Sequence, residues 1–135
     1  MKVLHLPFAF HPDPIGGTEV YVDALARQQQ FEGVDVVVAA PGDRQEEYDV
    51  DSIPVRRFPV APVADVRELY GEGDVVAAAG FERILDTEKP DLVHLHAFTR
   101  GVSLRLVREA KRRGMPVIFS YHTPTVSCQR GTLLR

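Results

Sequence analysis

Three short segments carry the residue types that can do chemistry: Ile15-Gly16-Gly17-Thr18-Glu19, His94-Leu95-His96 and Tyr121-His122-Thr123-Pro124. Two adjacent glycines let bare backbone approach a ligand. A helix beginning at Thr18 would then aim its unpaired N–H groups and the positive end of its dipole at an anion. Phosphate is the natural guest of such a turn. The same residues also make an ordinary glycine turn capped by Thr18, and by itself the segment fits that description better. Glu19 in the first helical turn suits the dipole, yet its charge opposes a phosphate placed beside it. No G-x-G-x-x-G joins strand to helix, so a dinucleotide fingerprint is absent.

His94 and His96 stand two apart, so on a strand both imidazoles project from the same side, a spacing shared by many metal-binding pairs. A metal hydrolase built on this pair is one reading. Against it, no third ligand of obvious spacing is visible, and a hydrogen-bonded structural histidine accounts for either residue. His5 lies inside an apolar run and His11 in a loop, where packing or solvation explains them. His122 follows Phe119-Ser120-Tyr121 at the end of another apolar run, where a side chain can face a cleft and act as a polar contact or proton carrier. Arg105, Arg108, Lys111, Arg112 and Arg113 read as the solvated face and favourable C-terminal end of a helix, with no ligand assigned.

Alternating strands and helices must position these groups. Lys2 to Phe8 reads as a buried strand and Thr18 to Phe31 as a helix with Tyr21, Val22, Leu25 and Ala26 on its apolar face. Gly33 suits that helix's end, and Val34 to Ala40 is a second, β-branched strand. Ile53 to Pro59 reads as a third strand, pushed to the sheet edge or shortened by Pro54 and Pro59. Asp65 to Thr87 reads as a helix broken near Gly71-Glu72-Gly73 and firmer from Val75 to Leu85. Asp91 to His96 is a strand, Val102 to Arg113 a helix closed by Gly114, and Pro116 to Tyr121 a last strand. The expected fold is α/β: a Rossmann-like, doubly wound, mostly parallel sheet with helices on both faces. In such a sheet ligands gather at the carboxyl ends of the strands, and all three chemical segments fall there.

Composition narrows the function classes. With 135 residues the chain is one domain in size. A net charge of −3 offers no concentrated Lys and Arg surface for nucleic acid, and nothing in the sequence indicates a membrane-surface partner. The hydrophobic fraction of 44% contains no run of membrane-spanning length. Cys128 is the only cysteine, which removes intrachain disulfides and cysteine-based zinc clusters and fits a reducing, cytoplasmic location. The N-terminal run is interrupted by His5 and Pro7 and lacks a small-residue cleavage site, so it reads as a strand and not a leader.

Taken in order, Met1-Lys2-Val3-Leu4-His5, Pro14-Ile15-Gly16-Gly17-Thr18-Glu19, Lys89-Pro90-Asp91-Leu92-Val93-His94-Leu95-His96, Tyr121-His122-Thr123 and the Cys128 to Leu134 tail resemble the N-terminal domain of the retaining GT-B glycosyltransferases of family 4. The resemblance covers essentially the whole chain. It implies two Rossmann-like domains facing across a cleft, the C-terminal one holding most of a nucleotide-diphosphate sugar and the N-terminal one recognising a hydroxyl acceptor. Gly16, Gly17 and Thr18 would then meet the donor diphosphate as it becomes the leaving group. His122 matches the family's active-site histidine near the transferred sugar, and resembles especially the mannosyltransferases acting on phosphatidylinositol, whose strand tip also reads His-Thr. His94, His96, Glu19 and Thr123 would line the cleft or acceptor side. No cofactor or metal is implied beyond the nucleotide-sugar substrate.

Two departures stand out. Thr123 occupies the position where many members carry Asp, and the donor-binding domain, with its basic pair and two-glutamate motif, is not found in the 135 residues. The expectation is therefore a single acceptor-side domain, residues 1–135, truncated and inactive alone. Alternatives are a GT-B sugar-nucleotide epimerase fragment and a catalytically silent binding module, besides the metal hydrolase.

Overall fold

The computed structural model describes residues 1–13, 16–62, 73–99, 101–120 and 122. Along the chain run β1 (Lys2–Leu6), α1 (Gly17–Phe31), β2 (Asp35–Gly42), β3 (Glu46–Val50), β4 (Ile53–Pro59), α2 (Val75–Glu88), β5 (Leu92–Leu95), α3 (Leu104–Arg112) and β6 (Val117–Phe119). The strands form one sheet in the order β3-β4-β2-β1-β5-β6, parallel throughout except for the antiparallel β3–β4 hairpin.

Hydrophobicity on both sides of the strands dictates the layering. Val36 to Ala40 are all buried on β2, so consecutive side chains, which point to opposite faces, need cover on each. Val22 and Ala26 of α1, with Phe10, pack against Val36, Val38, Ala40 and Val55 on one face. Phe81 and Leu85 of α2 and Leu106 and Ala110 of α3 pack against Leu4, Leu6, Val37, Ala39, Val93 and Leu95 on the other. Gly33 and Gly114 have positive φ (87° and 73°), the left-handed conformation that ends a helix without a Cβ penalty. Asp74 and Ser103 cap α2 and α3 by accepting from the N–H groups of Ala77 (2.9 Å) and Arg105 (3.3 Å).

Two expectations need correction. The segment Ile53–Pro59 is not at the edge: β4 lies between β2 and β3. Pro54 is tolerated because it faces Asp49 of β3 and precedes the first β2 rung, Val38 opposite Val55, so its missing N–H breaks no rung with β2. The true edge on that side is β3, a charged strand that alternation did not reveal. Helix α2 begins at Val75; the earlier part of the expected Asp65–Thr87 helix, residues 63–72, lies outside the described residues.

Arg57 fixes the loop that leads from β1 toward the glycines. Its side chain is buried and donates to the carbonyls of Phe10 (2.7 Å), His11 (3.2 Å) and Pro41 (2.8 Å), to Asp13 Oδ2 (2.8 Å) and to Tyr48 Oη (2.9 Å). A guanidinium that spends its donors this way ties the loop to β2, β3 and β4 and pairs the carbonyls of Phe10, His11 and Pro41.

Candidate functional site

Parallel pairing brings the histidines together. His5 on β1 stands directly opposite His94 on β5, and residues paired across parallel strands project to the same face. His96 follows just beyond β5, with its N–H extending the ladder to Leu6 O at 3.1 Å. The rings of His94 and His96 lie 3.9 Å apart between centroids, and His5 lies 5.1 Å from His96. His122, beyond β6, completes the group, its Nε2 3.2 Å from His96 Nδ1. The same-side projection of His94 and His96 is therefore as expected. The absence of a third partner is not, because His5 supplies it from the neighbouring strand.

Helix α1 covers this cluster. Gln29 Oε1 accepts from His5 Nε2 at 2.6 Å, and His5 Nδ1 is 2.9 Å from His96 Nε2. Tyr21, expected on the apolar face, is instead 46% exposed, and its ring rests 4.9 Å from that of His122. The helix core face is the narrower pair Val22 and Ala26, because histidines rather than aliphatic groups receive the side chain one position earlier.

Burial keeps His5, His94 and His96 neutral. Loss of solvent, reinforced by the charges His5 and His122 would carry, lowers the His94 pKa to about 4. Burial, and then the neighbouring His94, His5 and His122, lower that of His96 to about 2. His5 is lowered by burial, with partial opposition from its hydrogen bond to Gln29. Neutral imidazoles can ligate metals, and His5, His94 and His96 offer one ligand atom each, all within 4.8 Å of one another. Those nitrogens are already employed, however. Both of His5 and both of His96 are hydrogen-bonded, and His94 Nε2 lies 2.6 Å from Ser120 Oγ. An ion would have to displace these contacts.

The start of α1 lies at the same end of the sheet, one turn before Tyr21. Thr18 does not cap it. Gly16 is the N-cap, and Glu19 Oε2 accepts from the Gly16 N–H at 2.8 Å, which draws Gly17 and Thr18 into the first turn. Gly17, Thr18 and Glu19 therefore present the N–H groups that no intrahelical carbonyl can reach. A Cβ added at Gly17 would meet nothing within 4 Å, whereas one at Gly16 would touch Glu19 Oε2 at 3.4 Å. Among the described residues nothing requires Gly17 to be glycine. Thr123 lies outside the described residues. Arg113, in the basic set given no ligand, pairs with Asp86 (2.8 Å), Glu109 (2.9 Å) and Glu82 (3.4 Å), tying the end of α3 to α2.

Among known proteins, 36% identity over 96 residues links the chain to "Putative glycosyltransferase EpsD" of Bacillus subtilis (strain 168), covering 67% of this chain and 22% of that protein. The chain thus spans about a fifth of this curated relative. Two solved structures share the fold: UDP-GlcNAc 2-epimerase from Methanocaldococcus jannaschii (TM-score 0.58, 88% of this chain and 31% of that one) and the S. aureus MnaA-UDP complex (TM-score 0.52, 88% and 29%), each at 16% identity. Residues 16–135, which include the glycine turn and three of the four clustered histidines, match the model of the glycosyl transferase 4-like domain, and the chain belongs to that family.

Proposed function

We propose that this domain forms the acceptor-side wall of a retaining GT-B transferase that moves a sugar from a nucleotide-diphosphate donor to a hydroxyl acceptor in the cytoplasm. One observation supports it most: the free N–H groups at the start of α1 and the histidine cluster share one end of the sheet, linked by Tyr21 against His122. The donor diphosphate sits against the N–H groups of Gly17 and Thr18, with Gly16 engaged by Glu19, and the helix dipole favours the charge that grows as the sugar departs. His122 meets the transferred sugar. His94, His96, Glu19 and Thr123 shape the acceptor side. A facing donor-holding domain supplies the other wall.

The family match favours transfer over epimerisation, since likeness at 16% identity to a UDP-GlcNAc 2-epimerase and to MnaA speaks to fold alone. An assay of the enzyme that carries this domain separates the two. Release of nucleoside diphosphate that depends on a hydroxyl acceptor supports transfer, and sugar inversion without an acceptor supports epimerisation. The phosphate contacts described need no resident ion, so elemental analysis of the purified protein is expected to find no stoichiometric zinc or manganese. One tightly held ion per chain, lost in His96→Ala, would instead favour a hydrolase.

A further inference from the structure

We infer that Gln29, near the far end of α1, is a positioning residue that fixes the tautomer of His122 through an unbroken hydrogen-bond series across His5 and His96. The four side chains are linked by contacts of 2.6, 2.9 and 3.2 Å in that order. Gln29 Oε1 can only accept, so His5 carries its proton on Nε2. A neutral His5 then has a lone pair on Nδ1 and accepts from His96 Nε2–H. His96, neutral in turn, accepts at Nδ1 from His122 Nε2–H. One amide oxygen thus orders three rings.

The span is long for a side-chain relay: Gln29 and Tyr21, which bracket it, are eight residues apart, about 12 Å along the helix. Burial supports the ordering, because His5 is 0% and His96 2% exposed and a second proton on either would be both charged and unpaired. Gln29 is itself held, its carbonyl accepting from Val34 N–H at 2.9 Å where the chain turns into β2. The outcome at His122 is specific. Its Nε2 is committed as a donor and Nδ1 remains the position that can accept a hydrogen bond or take up a proton without breaking the series. In the opposite orientation, with His96 donating to His122 Nε2, protonation of His122 would break that bond. A role for this arrangement in sugar transfer rests on the function proposed above; the tautomers themselves do not.

Two-bond proton–nitrogen NMR of the uniformly nitrogen-15-labelled chain reads the tautomers directly. The expected wild-type spectrum has His5, His96 and His122 as single Nε2–H forms. Gln29→Leu removes the accepting oxygen, and all three rings should move toward mixed tautomer signals. Gln29→Glu, whose carboxylate like the amide oxygen can only accept, should restore the wild-type pattern. Nδ1–H signals from His5 or His96 in the wild type, or unchanged tautomers in a folded Gln29→Leu chain, overturn the inference. If Gln29→Leu fails to fold, the wild-type and Gln29→Glu spectra still decide. In the transferase, Gln29→Leu should lower kcat about tenfold, part of what a positioned proton carrier contributes, with donor KM little changed and kcat recovered in Gln29→Glu. Altered tautomers with unaltered kcat would leave the relay intact and count against the catalytic role of His122.

Discussion

At the level of single residues, Gly17 separates structural from functional need. Its backbone is helical and its missing Cβ faces open space, so a larger side chain costs the free domain little beyond local propensity. The account predicts that Gly17→Val folds normally but weakens donor binding about tenfold, the equivalent of one hydrogen bond to a charged group. Calorimetric titration of donor into the complete enzyme checks this, and unchanged affinity in a folded variant would remove Gly17 from the diphosphate site. The glycine turn and the shared face of His94 and His96 were legible from spacing alone. Glu19 could have been recognised as the partner of the Gly16 N–H, since a carboxylate three residues past the N-cap is the capping-box pattern. His5 could not. Its place beside His94 depends on the register of β1 against β5, which no local pattern carries.

At the level of elements, the parallel strands were readable because burial on both faces makes them continuous apolar runs, as in β2. Strand β3 was not. Glu46, Glu47 and Asp49 leave it only Tyr48 and Val50 as half-buried apolar positions, and its turn into β4 uses Asp51 and Ser52 at positive φ (47° and 73°) in place of an Asn-Gly signal. The interface of α1 with β1 and β5 also makes a prediction about acid. Its three buried histidines have folded pKa values below their unfolded values, so at intermediate pH the unfolded chain binds protons that the folded chain refuses. Stability is then complete above the unfolded value of 6.5 and falls as pH drops toward the His94 value of about 4. Each imidazole held neutral contributes a slope of up to about 1.4 kcal/mol per pH unit. Urea denaturation between neutral pH and about pH 5 should show this decline, and a shallower one in His94→Asn. A midpoint flat across that window would mean that the cluster accepts protons without cost.

At the level of the whole molecule, the sheet order and two-sided layering follow from alternating strands and helices, and the fold recurs in larger proteins of which this chain covers about three-tenths. Among the described residues no helix is long and apolar enough to cross a membrane. On the function proposed above, this end of the sheet with its helix start forms only one wall of a cleft, so the 135-residue chain alone should bind nucleotide-sugar weakly and transfer nothing. The group on this wall that the account places against the reacting sugar is His122, held by His96 and Tyr21. Interactions made mainly in the transition state lower turnover more than substrate binding when they are removed. Steady-state kinetics of His122→Ala in the complete enzyme is therefore the most direct measurement. The account predicts a folded protein whose kcat falls roughly a hundredfold or more with donor KM close to that of the wild type, and near-wild-type turnover would contradict it.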